Sequence, residues 1–264
     1  MEYREHRAGG RLAAAVHCIW TLRGEAGDAE RIVPDGRPEI VFNLADPFER
    51  RHVDGVIERQ PLALMVGQTL GPVHIRPTGA VDLVGIRFQP HGAAAFLDVP
   101  LDRVTGSIAA AADVDPWWEC VRQRVGNASP AARTGLVCAL LEHRIRDRSL
   151  DPRLSAATAA ITGSQGRRSI DEIAGSLGVS RRQLERLFLR DVGIGPKLLA
   201  RIHRFQALLR LAQRPRPDTW AALAARLGFA DQSHMIREVR TFGGETPTAF
   251  VDFSAGPPAL FLDG

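Results

Sequence analysis

Two short segments in the last third of the chain carry side chains that can recognise DNA bases. The first contains Ser180, Arg181, Arg182, Gln183, Glu185 and Arg186, and the second contains Gln232, Ser233, His234 and Arg237. Arg can bond to guanine O6 and N7 together, Gln can do the same with adenine N6 and N7, and Glu can accept from cytosine N4. Ser and His can serve either type of base. These residue types therefore favour contacts with base edges in a major groove.

Repetition of this pattern favours DNA recognition over a merely solvated surface. An isolated arginine-rich helix face is usually just hydrated, but here Arg186 and Arg237 occupy equivalent positions in two copies about fifty residues apart. From 167 to 250 the chain has fifteen Lys and Arg against eight Asp and Glu, a net charge of +7 within a total of +4. A basic C-terminal third beside a mildly acidic front indicates a polyanion as the partner of that third. Together with the repeated pattern, we expect this partner to be double-stranded DNA.

Each segment lies in a predicted helix-turn-helix unit. The first copy reads SIDEIAGSLGVSRRQLERLF from Ser169, and the second reads TWAALAARLGFADQSHMIREV from Thr219. Apolar residues at i, i+3, i+4 and i+7, then Gly and a second apolar series, predict two short helices joined by a tight turn. Ser180 and Asp231 are natural N-caps for the second helix of each copy. A turn of this kind joins the two helices of a DNA-binding motif.

A long apolar helix is predicted between the two units. The segment from 196 to 213 has one continuous apolar stripe, formed by Leu198, Leu199, Ile202, Phe205, Leu208, Leu209 and Ala212. At ~1.5 Å per residue its 18 residues span about 27 Å. This length would hold two recognition helices near the ~34 Å repeat of duplex DNA, in successive major grooves on one face.

These segments resemble the DNA-binding domain of the AraC/XylS family of transcription regulators. The matching pieces are GVSRRQLERLF, GIGPKLLARIHRFQ, LGFADQSHMIRE and TPTAF, within residues 165–252. The resemblance implies seven helices with two helix-turn-helix units, and base contacts by Arg182, Glu185, Arg186, Gln232, Ser233, His234 and Arg237. Met235 and Val239 stand where the family usually has Phe, and Gly243 stands where a Phe is expected, with Phe242 one place early. These departures concern packing, and we expect them to loosen the second unit rather than change its sequence preference.

The front of the chain favours short strands, and the stretch after it favours helices. A PDG turn followed by an apolar run, and the alternating pieces VHIRP and VDLVGIRF, are separated by Gly and Pro. The Gly within VDLVGIRF is typical of a β-bulge. The predicted fold class is α+β: an N-terminal small β-barrel or sandwich-like domain with flanking helices, and a C-terminal all-α domain with two helix-turn-helix units.

Four segments follow from these patterns. We predict a β-rich effector-binding or regulatory domain over 1–105, a helical linker or dimerisation region over 106–164, an AraC-type DNA-binding domain over 165–252 and a tail over 253–264. The pieces YREH, CIWTLRG, VPDGRPEIVFNL, GPVHIRPTGAVDLVGIRFQPHGAAAFL and VPLDRVTG resemble the N-terminal domain of one AraC-like subgroup. That resemblance implies a small β-barrel that binds a small-molecule effector or supports a homodimer, and the sequence leaves both roles open.

Polar residues near the strand ends are candidates for effector binding. They are Asp35, Glu39, Asn43, Gln68 and Arg76, with Arg87 and His91 on later strand ends. Trp20, Phe42 and Phe88 would supply the apolar lining of the same site. Polar groups that converge over an apolar lining are typical of small-molecule sites. The alternative is that Asp35-Gly36 is simply a turn and the others are surface or strand-edge residues.

Other functional classes find little support in the sequence. Cys18, Cys120 and Cys138 form no CxxC, and the histidines lack the paired spacing of zinc sites, so we expect a reduced, cytoplasmic chain without metal ligands. There is no signal-peptide pattern and no apolar run of the ~20 residues that a membrane helix needs. No G-x-S-x-G, P-loop or Rossmann glycine pattern is present, so we expect neither catalytic residues nor a cofactor. The alternative is a front domain that is an enzyme or a metal-sensing module fused to a DNA-binding domain.

Overall fold

The computed structural model describes residues 1–25, 27–145, 150–214 and 218–254. Two antiparallel sheets occupy the front of the chain, and helices occupy the rest. The tail predicted for 253–264 lies outside the described residues apart from its first two positions. Among the described helices, none is long and apolar enough to cross a membrane.

The front of the chain is a two-sheet sandwich. Its strands are β1 (Glu2–Arg7), β2 (Val16–Gly24), β3 (Glu30–Ile32), β4 (Glu39–Asn43), β5 (Phe48–Arg51), β6 (Ile57–Arg59), β7 (Ala63–Val66), β8 (Val73–Pro77), β9 (Val81–Phe88) and β10 (Ile108–Ala110). One sheet has the order β1-β2-β9-β4-β7-β10, and the other has the order β3-β8-β5-β6. Within the described residues both sheets are open, so the sandwich-like prediction is confirmed and the closed barrel is wrong.

The six-stranded sheet lies between the four-stranded sheet and a layer of helices, and its strands are accordingly apolar on both faces. On β4, Ile40 and Phe42 face a core with the helices that cover the outer side, whereas Val41 faces the four-stranded sheet. This division follows the two-residue period of a strand. A strand buried on both faces loses the polar alternation that marks a half-exposed strand.

The glycine inside β9 has a packing role rather than a bulge. Gly85 pairs with Trp20 of β2 in regular register, and a Cβ on Gly85 would lie 2.0 Å from Trp20 Cε2. The irregularity in this pairing lies instead between Val16 and Cys18. The bulge predicted at Gly85 is therefore wrong, because the indole ring occupies the space where a side chain would be.

Three helices of the predicted linker pack on the outer face of the six-stranded sheet. They are α1 (Ala111–Val114), α2 (Trp117–Gly126) and α3 (Pro130–Arg144). Trp118 is fully buried and its ring centroid lies 6.4 Å from that of Phe42. Arg133 of α3 donates to both carboxylate oxygens of Asp82 at 2.8 Å. Short 3-10 helices occur at Gly10–Ala14, Gly92–Ala95 and Leu101–Arg103.

The C-terminal half contains seven helices within the described residues, as the resemblance implied. They are α4 (Pro152–Gly163), α5 (Ile170–Ser176), α6 (Arg181–Asp191), α7 (Pro196–Ala212), α8 (Trp220–Arg226), α9 (Gln232–Gly243) and α10 (Pro247–Ser254). Leu154, Ala157 and Ile161 of α4 belong to the same buried cluster as the apolar residues of α7. The helix α4, which the sequence places in the linker, thus packs with the helix-turn-helix units.

Packing in the second unit is complete despite the three departures from the family pattern. Met235, Val239 and Phe242 are all buried, and the Phe242 ring lies 5.5 Å from that of Phe205 on α7. A Cβ on Gly243 would lie 2.7 Å from Phe250 Cδ2. Phe242 and Phe250 together fill the space, so the expected loosening is absent from this packing.

Candidate nucleic-acid interface and effector cavity

The first unit presents α6 through a well-formed N-terminal cap. Ser180 Oγ accepts from the Gln183 backbone N–H at 3.2 Å, and the Ser180 N–H donates to Gln183 Oε1 at 2.8 Å. Gly178, in the turn before α6, has a φ of +66°, which favours glycine. Leu184 and Phe188 are buried under the helix. These contacts fix the start and the rotation of α6.

On the outer face of α6 the arginines differ in their surroundings. Arg182 and Arg186 are exposed, and neither forms an ion pair within the described residues. Arg181 Nε donates to Glu185 Oε1 at 3.1 Å, and its other end lies 3.5 Å from Asp171. The charge of Glu185 is therefore partly neutralised by Arg181. Arg182 and Arg186 are therefore exposed arginines of α6 whose guanidinium groups are not held by a carboxylate of the described residues.

One residue on this face was not singled out from the sequence. Leu189 is 46% exposed, and it follows Arg186 by three positions and Arg182 by seven, so the three share one face of α6. An exposed Leu among arginines is the kind of side chain that packs on a thymine methyl group. Its spacing from Arg182 and Arg186 places it on this face, and the structure adds that it is exposed there.

The second unit repeats this arrangement with different partners. Asp231 Oδ1 accepts from the His234 backbone N–H at 2.6 Å and caps α9. Gln232, Ser233 and Arg237 are exposed. His234 is half-buried, and its ring lies edge-on to Phe229 with centroids 5.6 Å apart. His234 thus has less freedom to reach DNA than its exposed neighbours.

Helix α7 lies between the two units and contacts both. The predicted apolar stripe is buried apart from the half-buried Leu198, and so are the polar residues His203 and Gln206. Arg201 Nε donates to the buried Glu238 of α9 at 2.9 Å. With its 17 residues at ~1.5 Å each, α7 is about 26 Å long. Its burial on several faces makes it a rigid connection between α6 and α9.

A cavity lies between the two sheets of the front sandwich. Its volume is about 90 Å³, counted as the region that the centre of a water-sized molecule can occupy. Four of the six predicted effector residues line it: Trp20, Asp35, Glu39 and Asn43. The other two do not. Gln68 is buried elsewhere and donates to the Gly36 carbonyl at 3.0 Å, while Arg76 is exposed and pairs with Glu49 at 2.6 Å.

Charged groups are concentrated at one end of the cavity. Arg87 Nε donates to Glu39 Oε1 at 2.5 Å and lies 3.7 Å from Asp35 Oδ2. Burial raises the pKa of Glu39, while the Arg87 charge and hydrogen bonds from Arg87 and Trp20 oppose that rise. Burial alone would lower the pKa of Arg87, but Glu39 and Asp35 raise it above its ordinary value. The charged groups of this end therefore compensate one another.

The histidine and cysteine candidates serve other purposes. His91 is held between Ser155 Oγ at 3.0 Å and Thr158 Oγ1 at 3.1 Å on α4, and burial lowers its pKa to about 4. Burial raises the pKa of Cys18 to about 12, which disfavours the thiolate. Among the described residues, no group of three His, Cys, Asp or Glu is arranged to hold a metal ion.

Two family models match the chain. One, described as a helix-turn-helix domain, covers residues 173–252, and the other, a domain of unknown function (DUF6597), covers residues 4–109. The C-terminal part of the chain is an AraC-type helix-turn-helix domain. No curated protein matches the chain.

Three solved structures to which the chain is similar are ToxT, an AraC-type regulator and CuxR. ToxT from Vibrio cholerae is 12% identical, over 89% of this chain and 97% of that one, with a TM-score of 0.47. An AraC-type regulator from Chromobacterium violaceum is 29% identical, over 40% of this chain and 95% of that one, with a TM-score of 0.37. The AraC-like activator CuxR is 16% identical, over 78% and 80% of the two chains, with a TM-score of 0.29.

The segment that lines the cavity also contacts the AraC-type domain. Pro34 O accepts from Gln206 Nε2 of α7 at 2.7 Å, and Val33 belongs to the buried cluster around α7. Arg31 NH1 lies 3.2 Å from Glu245, and its guanidinium lies 4.5 Å from the centre of the Phe250 ring. Because Ile32, Val33 and Asp35 line the cavity, residues 31–36 link the cavity with the second unit and with α7, the connecting helix.

Proposed function

We propose that this protein is a sequence-specific DNA-binding transcription regulator. It inserts α6 and α9 into adjacent major grooves on one face of the duplex. The observation that carries this proposal is the repeated unit itself: two N-capped helices with exposed arginine faces, held by the one buried helix α7. The N-terminal part of a recognition helix is the part that contacts base edges in helix-turn-helix proteins.

The side chains divide into those that read bases and those that position the protein. Arg182, Arg186 and Arg237 are suited to guanine. Gln232 is suited to adenine, and Ser233 can bond to either type of base. Phosphate contacts would come from the remaining arginines and from backbone N–H groups at helix N-termini. Since these contacts release counterions, the DNA affinity falls steeply as salt rises.

The N-terminal sandwich supplies regulation by a small molecule that binds in its cavity. A ligand against Ile32, Val33 and Asp35 would shift the segment 31–36, which holds α7 through Pro34 and the second unit through Arg31. The ligand can change DNA affinity only if it prefers one position of that segment over another. The alternative is a sandwich that supports a homodimer and binds no ligand. We assign the protein no catalytic role and place its action in the cytoplasm.

Selection of bound sites from random duplex DNA tests the DNA-binding role. Replacing Arg186 or Arg237 by Ala should cost about 1–3 kcal/mol of binding free energy and relax the preference at one base pair. Arg124→Ala is the matched control, because Arg124 is exposed on α2, outside the two units. If both recognition variants bind with the affinity and preference of the wild type, the assignment of α6 and α9 is wrong.

Mass measurement in solution separates the effector role from the dimerisation role. A chain that is monomeric with and without DNA, and that gains thermal stability from a small molecule, supports the effector role, because a ligand stabilises the folded state by mass action. A stable dimer that no small molecule stabilises supports the alternative.

A further inference from the structure

The cavity between the sheets has an apolar middle and two different polar ends. On β4, Glu39 and Asn43 line opposite ends and Val41 lies between them. Four residues along a strand at ~3.3 Å each span about 13 Å. Leu64, Leu83 and Ile75 complete the apolar middle. This shape suits a molecule that is elongated and apolar for most of its length.

At the Glu39 end the charges are already balanced. Among the buried residues, Asp35, Glu39, Arg37 and Arg87 supply two carboxylates and two guanidinium groups. The more exposed Glu5 adds a third carboxylate, 3.6 Å from Arg87. Glu39 is bonded to Arg87, and Asp35 Oδ2 lies 3.7 Å from Arg87 Nε while its Oδ1 accepts from the Arg37 backbone N–H at 2.9 Å. A charged ligand group would add a buried charge without a counter-charge, which costs far more than burying a neutral group.

The opposite end offers an uncharged hydrogen-bonding group. Gln60 is a buried residue with 8% exposure that lines the cavity, and within the described residues its side-chain amide has no hydrogen-bond partner. Its backbone N–H donates to Phe48 O at 2.8 Å, and the Asn43 N–H donates to Leu62 O at 2.7 Å, two residues beyond Gln60. Gln60 and Asn43 therefore lie at the same end. Asn43 itself is occupied, because Nδ2 donates to Asp46 O at 2.7 Å and Oδ1 accepts from the Ala45 N–H at 3.0 Å. Of these two amides, Gln60 therefore has unused hydrogen-bonding capacity towards the cavity.

We propose that the effector is an elongated, mostly apolar molecule without net charge, whose polar group, such as a hydroxyl, ester or amide, hydrogen-bonds the amide of Gln60. This inference rests on the proposed effector role and adds the chemical class of the ligand. The apolar body lies along Val41, and the balanced charges at Glu39 exclude an ionised end.

Thermal unfolding of the full-length chain with three chain-matched probes tests this class. The probes are n-octanol, octanoate and octylammonium, at equal concentrations below micelle formation. Octanol should raise Tm by roughly 2–4 °C, and the two ionised probes should raise it less. A larger rise with octanoate or octylammonium, or no rise with any probe, overturns the proposal.

Three variants locate the binding and test its chemistry. Val41→Trp fills the middle of the cavity and should abolish the response to octanol, while Val53→Trp, at a fully exposed position, should keep it. Gln60→Leu, which keeps the volume, should reduce the response to octanol. Asp35→Asn removes one carboxylate and should increase the response to octanoate, because one guanidinium is then unbalanced. A full octanol response in Val41→Trp or Gln60→Leu, or an unchanged octanoate response in Asp35→Asn, contradicts the site.

DNA binding by the same wild-type sample, measured with its selected site, distinguishes failure of the ligand class from failure of the proposed regulator role. A chain that binds DNA but gains no stability from octanol leaves the DNA-binding role standing and refutes the ligand class. A chain that responds to octanol but selects no DNA supports the ligand class and refutes the proposed regulator.

Discussion

Gly36 offers a direct test of the contact between the cavity segment and the connecting helix. It has a φ of +81°, and a Cβ there would lie 2.7 Å from Leu199 Cδ1 and 3.5 Å from His203 Nε2. Gly36→Ala should therefore lower the free energy of unfolding for two reasons. The left-handed backbone costs an alanine ~1–2 kcal/mol, and overpacking against α7 costs a further ~1–3 kcal/mol. Leu199 is fully buried, so its side chain has little room to move away.

Gly55 provides a matched control for the backbone part of this cost. Its φ is +87°, and nothing lies within 4 Å of the Cβ that alanine would add. Gly55→Ala should therefore cost only ~1–2 kcal/mol, from the left-handed backbone alone. The difference between the two variants measures the clash with α7.

Urea unfolding and DNA titration of both variants give the comparison. Gly36→Ala should lose ~1–3 kcal/mol more of the free energy of unfolding than Gly55→Ala, and it alone should change the DNA affinity, because it displaces α7. Equal losses in the two variants, with equal DNA affinities, would refute the claim that segment 31–36 bears on the connecting helix.

Two further predictions concern the caps and a buried histidine. Ser169 and Ser180 form the same capping box on α5 and α6, so replacing either by Ala should cost ~0.5–2 kcal/mol in urea unfolding; only Ser180→Ala should also weaken DNA binding in a titration, and equal weakening by both would contradict the role of α6. His91 has a pKa of about 4 in the folded chain and an ordinary value of 6.5, so the unfolded chain takes up the proton first. The stability that neutral His91 contributes should be complete above about pH 6.5 and be lost as the pH falls towards 4. Urea unfolding across that window should show a smaller pH dependence for His91→Gln than for the wild type, and identical curves would disprove the assignment.

Local patterns predicted the C-terminal domain well because its determinants are close in sequence. The N-caps Ser180 and Asp231 act within three residues of themselves, and the helix faces follow a period of 3.6 residues. The family match at 173–252 agrees with the resemblance. Which side chains touch DNA stays a prediction, and the structure adds to it the exposure of Leu189 and the half-burial of His234.

The front domain was harder to predict because its contacts join distant segments. Gly85 was assigned to a bulge because the sequence gives no sign that Trp20, on another strand, lies over it. Gln68 and Arg76 have the same polar character as Asn43, yet strand pairing and sheet stacking leave them outside the cavity. Gln60 follows a fully exposed strand, so no local pattern marks it as a buried residue that lines the cavity.

The sequence by itself determined the two helix-turn-helix units, their caps and the apolar face of α7, since caps and apolar spacings are set by residues a few positions apart. It also determined the basic charge of the last third, which follows from composition alone. Only the tertiary structure decided that two open sheets enclose a cavity, that Arg87 balances Glu39 from 48 positions away, and that Pro34 bonds to Gln206 across 172 positions. Such pairs depend on how strands stack and domains pack, and neither spacing nor residue type along the chain encodes that directly.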